Sequence, residues 1–77
     1  MDKSFKYIPG DCTLRLYSSS SANPRFLSSL DGGKAQFFAT KRQNGLQMAE
    51  GDAHRLCAIL RGEDIKCYVV WAQAEEG

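Results

Sequence analysis

The chain has 77 residues, enough for one domain and too few for two. Hydrophobic residues make up 43% and charged residues 25%, which is typical of a globular protein and argues against disorder. Ten Lys and Arg against nine Asp and Glu give a charge of +1, so neither a strong nucleic-acid binder nor an acidic mimic of nucleic acid is indicated. So small a domain favours an exposed face or an edge over an enclosed pocket as its functional surface.

Three widely spaced cysteines, Cys12, Cys57 and Cys67, form an odd set. A secreted scaffold of this length usually carries a denser, even set, so the pattern predicts reduced, mostly buried thiols. The N-terminal sequence Met-Asp-Lys-Ser-Phe-Lys lacks the apolar run of a signal peptide. No stretch approaches the roughly 18 apolar residues of a membrane span. We therefore expect a cytoplasmic protein with no membrane partner.

In the first 30 residues, two strand patterns precede a loop and a helical pattern. Alternation predicts a short strand over 4–8 and a half-buried strand over 13–17. The serine-rich segment 18–24 is expected to be a flexible loop. The spacing of the apolar residues predicts a short helix or turn near 24–30.

The middle of the chain carries a strong hairpin signal, Asn44-Gly45, because both residues tolerate positive φ. We expect a strand over 34–43 that turns there, so that Gln43 pairs with Leu46 and Lys41 with Met48. This register places only apolar residues on one face: Ala35, Phe37, Ala39, Leu46 and Met48. The opposite face would carry Gln36, Phe38, Thr40, Arg42 and Gln47.

The residue pattern in the last third of the chain predicts a helix and a strand. An apolar stripe with i, i+3, i+4, i+7 spacing indicates a helix over 52–61 that Gly62 ends. Ile65–Gln73 reads as a strand with apolar residues on both faces, which indicates a central position in the sheet. Residues 74–77 are expected to be a disordered tail. The fold class is α+β: a single domain with a four- to five-stranded, mainly antiparallel sheet and the main helix packed on one face.

Catalytic and metal-binding patterns are weak. His54 and Cys57 lie three residues apart on the helix, but neither an orienting group nor an oxyanion hole accompanies them. The cysteines and the histidine would supply four zinc ligands by number, yet no Cys-x-x-Cys spacing is present. The glycines follow no phosphate-loop pattern. We therefore expect no enzyme activity, no cofactor and no metal.

The candidate binding surface is the face of the predicted hairpin opposite its apolar face, because it combines aromatic, basic and amide side chains. Such residues stack with unpaired bases, and Tyr and Arg are equally favoured in protein-binding hot spots. A third interpretation is that the middle helix covers this face and that Phe38 belongs to the core. The candidate residues are Phe38, Lys41, Arg42 and Gln47, with Tyr17 and Arg15 if their strand is adjacent.

Two functional hypotheses follow. The first is a non-enzymatic protein-interaction module that occupies a partner's surface, as small regulators and inhibitors of phages and mobile elements do by analogy. The alternative is a single-stranded nucleic-acid-binding domain that uses the aromatic and basic sheet face. A homodimer would also hide an exposed sheet edge, although no sequence signal favours a dimer over a monomer.

Overall fold

The computed structural model describes residues 5–18, 20, 22–31 and 34–72. The elements are β1 (Cys12–Leu16), β2 (Ser29–Asp31), β3 (Lys34–Gln36), the 3-10 helix η1 (Arg42–Asn44), α1 (Glu50–Gly62) and β4 (Cys67–Trp71). These elements agree with the α+β class. The single sheet of four or five strands is not confirmed, because the described strands form two antiparallel pairs, β1–β4 and β2–β3.

β1 has hydrogen-bonded neighbours along both of its edges. One edge pairs with β4 over its whole length. The other edge forms isolated antiparallel bridges, from Cys12 to Met48 and from Arg15 to Phe26. Phe26 also bridges to Ala39, on the chain that follows β3. The two sheets are therefore joined by single bridges rather than by a continuous ladder.

The helix or turn predicted near 24–30 is wrong, since this segment is extended and ends in β2. The Leu27 N–H donates to the Leu14 carbonyl at 2.8 Å. Phe26 and Leu27 are both buried, but only Leu27 belongs to the core cluster beneath α1. In an extended chain, successive side chains point to opposite sides, so Phe26 and Leu27 are buried in different places. The spacing of the apolar residues alone did not distinguish this extended segment from a helix.

The hairpin predicted at Asn44-Gly45 is also wrong. Residues 42–44 form η1, and Gly45 has φ −75° and ψ 164°, so its backbone is extended and not left-handed. A Cβ at Gly45 would lie 2.8 Å from Thr13 Oγ1, which shows that the glycine permits close packing against β1. The described hairpin is β2–β3, where Asp31 pairs with Lys34. The strand expected over 34–43 is consequently only Lys34–Gln36 long.

The predicted helix over 52–61 is confirmed as α1, which is slightly longer at each end. Its stripe packs on β1 and β4. The buried core cluster consists of Cys12, Leu14, Leu27, Phe37, Met48, Ala53, Leu56, Leu60 and Cys67. The residues predicted to share the apolar hairpin face are all buried or half-buried, although their pairing differs from the predicted register.

α1 ends at Gly62, as predicted, but the left-handed position of its C-terminal cap is Asp64, with a φ of 69°. The Asp64 N–H donates to the Arg61 carbonyl, and the Ile65 N–H donates to the Leu60 carbonyl at 3.0 Å. These two bonds define a Schellman motif, in which the left-handed position is usually glycine.

β4 is an edge strand among the described elements, and not the central strand that its apolar faces indicated. It ends at Trp71, whereas Gln73 and the predicted tail 74–77 lie outside the described residues. The predicted strand over 4–8 is not formed by its described residues 5–8, and Ser4 is undescribed. Ser19 and Ser21 of the predicted flexible loop 18–24 are likewise undescribed.

Replacing Asp64 with glycine should stabilise the protein by about 1 kcal/mol, because a non-glycine residue at positive φ is strained. Urea denaturation of Asp64→Gly against the wild type measures the change. Asp64→Asn is the matched control, since it removes the charge at the helix C-terminus while it retains a side chain. A lower stability for Asp64→Gly than for the wild type would contradict the assigned helix end.

Candidate functional site

The six candidate residues are divided between two regions of the fold. Arg15 lies near the end of β1, and Tyr17 directly follows this strand. Phe38, Lys41, Arg42 and Gln47 lie on the chain between β3 and α1. The hairpin face that was expected to carry Phe38, Arg42 and Gln47 does not form, and Arg15 and Tyr17 lie on the β1–β4 sheet instead of extending it.

Phe38 is 69% exposed, which excludes the interpretation that it belongs to the core. The Phe38 N–H donates to Ser28 Oγ at 3.3 Å, and the Ser28 hydroxyl donates to the Gln36 carbonyl at 2.8 Å. The serine hydroxyl thus links the two chains just beyond the β2–β3 ladder. The predicted middle helix does not cover Phe38, because residues 26–31 are extended.

The three polar candidates lie around η1. Arg42 Nη1 donates to the Trp71 carbonyl at 3.4 Å, which brings η1 close to the end of β4. Gln47 Nε2 donates to the Gln43 carbonyl at 3.1 Å. Lys41 is exposed and precedes the first residue of η1. Arg42 and Gln47 are thus engaged in contacts within the fold.

Arg15 and Tyr17 belong to a different surface, which we call the outer face: Arg15, Tyr17, Lys66 and Tyr68. Arg15 pairs with Tyr68 across the sheet, and the Tyr17 N–H donates to the Lys66 carbonyl at 2.9 Å. Directly paired residues of antiparallel strands project to the same side, so these four side chains share the face opposite α1.

Two tyrosines dominate the outer face. The rings of Tyr17 and Tyr68 meet edge to face, with centroids 5.3 Å apart, and Tyr17 is 63% exposed. Together with Arg61, at the end of α1, they line an open depression of about 490 Å³. Arg15 Nη2 donates to the Ser20 carbonyl at 3.1 Å, which anchors this side chain beside the tyrosines.

Sequence reasoning missed Tyr68, Arg61 and Lys66 as site residues. The alternation of side chains along β4 does place Tyr68 on the face that Cys67 does not occupy, and this was the signal in the sequence that could have found it. The pairing of β4 with β1 was needed to bring Tyr68 to Tyr17, and strand order is not encoded in local periodicity.

The hydrogen-bond phase of β4 leaves alternate backbone groups facing away from β1. The bonds from Tyr17 N–H to Lys66 O and from Ala72 N–H to Asp11 O fix this phase at both ends. Since paired residues alternate, Tyr68 and Val70 bond to β1, whereas Cys67, Val69 and Trp71 direct their N–H and C=O groups outward.

Side chains reach two of the outward carbonyls. The Cys67 carbonyl accepts from Cys57 Sγ at 3.3 Å and from Arg61 Nη1 at 3.4 Å, and the Trp71 carbonyl accepts from Arg42. Within residues 5–18, 20, 22–31 and 34–72, the outward groups of Val69 have no recorded partner. Among the described residues, β4 therefore presents an open edge.

The candidate Cys–His pair is not assembled. His54 Nε2 lies 3.6 Å from Glu50 Oε2, and Cys57 Sγ is directed to the backbone and thiol of Cys67. His54 and Glu50 instead line a depression of about 120 Å³ beside Trp71, which is 56% exposed. This geometry offers no nucleophile activated by a base.

Cys57 and Cys67 are neighbouring free thiols, with sulfur atoms 4.0 Å apart. Burial, and then the nearby Cys57, raise the pKa of the Cys67 thiol to about 12. Cys67 therefore remains a neutral thiol over the physiological range. Among the described residues, no group of three or more His, Cys, Asp or Glu side chains is placed to hold a metal ion.

A search of the described residues for membrane-spanning helices finds none of sufficient length and apolarity. A scan against protein families finds no match for the chain, and neither comparison with curated proteins nor comparison with solved structures finds one.

The raised pKa of Cys67 predicts a loss of stability in alkali. The unfolded thiol ionises near its ordinary pKa of 9.0 while the folded thiol keeps its proton to about 12. The folded state thus binds more protons in this window, so stability falls as pH rises through it. Between pH 8 and pH 10.5, the free energy of unfolding of the wild type should fall by on the order of 1–2 kcal/mol more than that of Cys67→Ala.

Urea denaturation across this pH range measures the difference between the two proteins. Val69→Ala is the control, because it removes apolar core atoms on the same strand without removing a titrating group. If the wild type and Cys67→Ala lose the same stability between pH 8 and pH 10.5, the shift in the Cys67 pKa is contradicted.

Proposed function

We propose that the protein is a non-enzymatic protein-interaction module of the cytoplasm. It acts as a small regulator or inhibitor by occupying a partner's surface, and the outer face makes the contact. The observation that carries this proposal is the pair of exposed Tyr17 and half-buried Tyr68, which lies beside Arg61 over an open depression. The three free cysteines are consistent with a reducing compartment.

The composition of the outer face supports a protein partner. Tyrosine and arginine are enriched among the residues that contribute most to protein binding, because they combine large contact area with directed hydrogen bonds. The Tyr17–Tyr68 contact and the bond from Arg15 to Ser20 restrict these side chains before binding. Restricted side chains lose less conformational entropy when the complex forms.

Single-stranded nucleic acid is the second candidate, because aromatic rings beside Arg15, Arg61 and Lys66 would also suit base stacking and phosphate contacts. Two acidic residues, Glu63 and Asp64, lie in the turn before β4 and offset part of this positive charge. The overall charge of +1 further weakens attraction for a polyanion. A protein partner is therefore favoured.

The matched substitutions Tyr17→Ala and Phe38→Ala test the surface, because both remove an exposed aromatic ring, from different regions of the fold. A partner is captured from cell lysate after nuclease treatment, purified and titrated against each variant. We expect Tyr17→Ala to weaken binding by about tenfold or more, as loss of a hot-spot side chain does, while Phe38→Ala binds like the wild type. Circular dichroism confirms that both variants fold.

Two results would contradict the proposal. Loss of binding in Phe38→Ala, with Tyr17→Ala unaffected, would place the contact on the chain between β3 and η1. Recovery of nucleic acid alone from a parallel lysate without nuclease, with an affinity that falls steeply as salt rises, would favour the nucleic-acid-binding alternative.

A further inference from the structure

The open edge of β4 is a second surface, which adjoins the outer face at Tyr68 and Arg61. Five consecutive residues without a charged side chain form this strand, Cys67–Trp71. An unpaired strand edge is a template for another strand, and proteins usually protect such edges with charges, prolines or covering elements. At Val69 no described side chain fills this role, because the contacts of Arg61 and Arg42 reach only the carbonyls at the two ends.

We infer that a second copy of this chain occupies the edge, with the two β4 strands antiparallel about a two-fold axis at Val69. The outward phase permits this register, which pairs the whole strand with itself: Val69 faces its own counterpart, and Cys67 of each copy faces Trp71 of the other. The result is a continuous sheet in the order β1–β4–β4–β1. Symmetric pairing of one patch with itself is the usual geometry of a dimer.

The side chains of β4 complement one another in this register. Tyr68 faces Val70 of the second copy, so an aromatic ring meets a β-branched residue, which is a favourable cross-strand pair. Trp71 comes to lie beside Cys67, where a smaller side chain leaves room for the indole. The pairing also covers Trp71, which is 56% exposed in the single chain.

The charges on α1 are also complementary across the two-fold axis. Within one chain α1 runs antiparallel to β4, because Arg61 reaches Cys67 while Glu50 and His54 lie beside Trp71. The axis therefore brings Glu50, in the first turn, toward Arg61 of the second copy. Opposite charges meet at both ends, and the helix dipoles are antiparallel.

The substitution Val69→Pro tests the edge directly. The Val69 N–H points away from β1, so proline removes no bond within the chain and is tolerated on an outer edge. Sedimentation equilibrium from micromolar to near-millimolar protein should show a dimer for the wild type. Val69→Pro should weaken it roughly 30-fold or more, because both central backbone bonds are lost.

Val70→Pro is the matched control, since the Val70 N–H bonds to β1 and its loss should unfold the protein. A wild type that stays monomeric at every concentration would overturn the inference. So would a Val69→Pro variant that folds and dimerises like the wild type.

A charge exchange provides a second test that leaves the β4 backbone unchanged. Arg61→Glu alone should weaken dimerisation by about tenfold, because it places two carboxylates together at each end of the interface. Adding Glu50→Arg should restore it, since the pair is then reversed. Failure of the double variant to recover dimerisation would overturn this register. Arg61 borders both surfaces, but Val69→Pro changes only the edge and Tyr17→Ala only the outer face, so either proposal can fail alone.

Discussion

The backbone of β1 is hydrogen-bonded along both edges, to β4 on one side and to the chain around Phe26 and Met48 on the other. Thr13 and Leu14, on opposite faces of β1, are both fully buried: Leu14 lies in the core beneath α1, and Thr13 packs against the chain at Gly45. The double pairing of β1 orders the rest of the fold. The extended chain at Phe26 connects to β2 and β3, and α1 packs over β1 and β4 to close the core.

A central β1 leaves β4 at the edge, and two surfaces result from that position. Tyr68 is placed beside Tyr17 on the outer face, opposite α1, where no described element covers the ring pair. Val69, one residue later, directs its backbone groups away from β1. A face built from aromatic and basic side chains suits a heterologous partner, whereas an uncharged edge suits backbone pairing. The two surfaces would allow a dimer to present two outer faces.

Sequence reasoning succeeded where local periodicity decides the structure. α1 was predicted because its apolar residues keep helical spacing over about ten residues. The burial of Phe37 and Met48 was predicted from the alternation of apolar and polar residues. It failed where tertiary packing decides. Gly45 is needed for close approach to Thr13 and not for a turn, and the spacing at Phe26 fits both helix and strand. The outer face needed knowledge of which strand neighbours β1, which no local pattern contains.

Residue-resolved hydrogen exchange of the β4 amides tests the central claim, that β4 is an open edge in the single chain. In dilute protein, the Tyr68 and Val70 amides should be protected by their bonds to β1, while the Val69 amide between them exchanges much faster. Protection at Val69 should then rise with protein concentration as the second copy pairs. Equal protection of Val69 and Val70 at the lowest concentration would contradict the account, because another part of the same chain would then cover the edge.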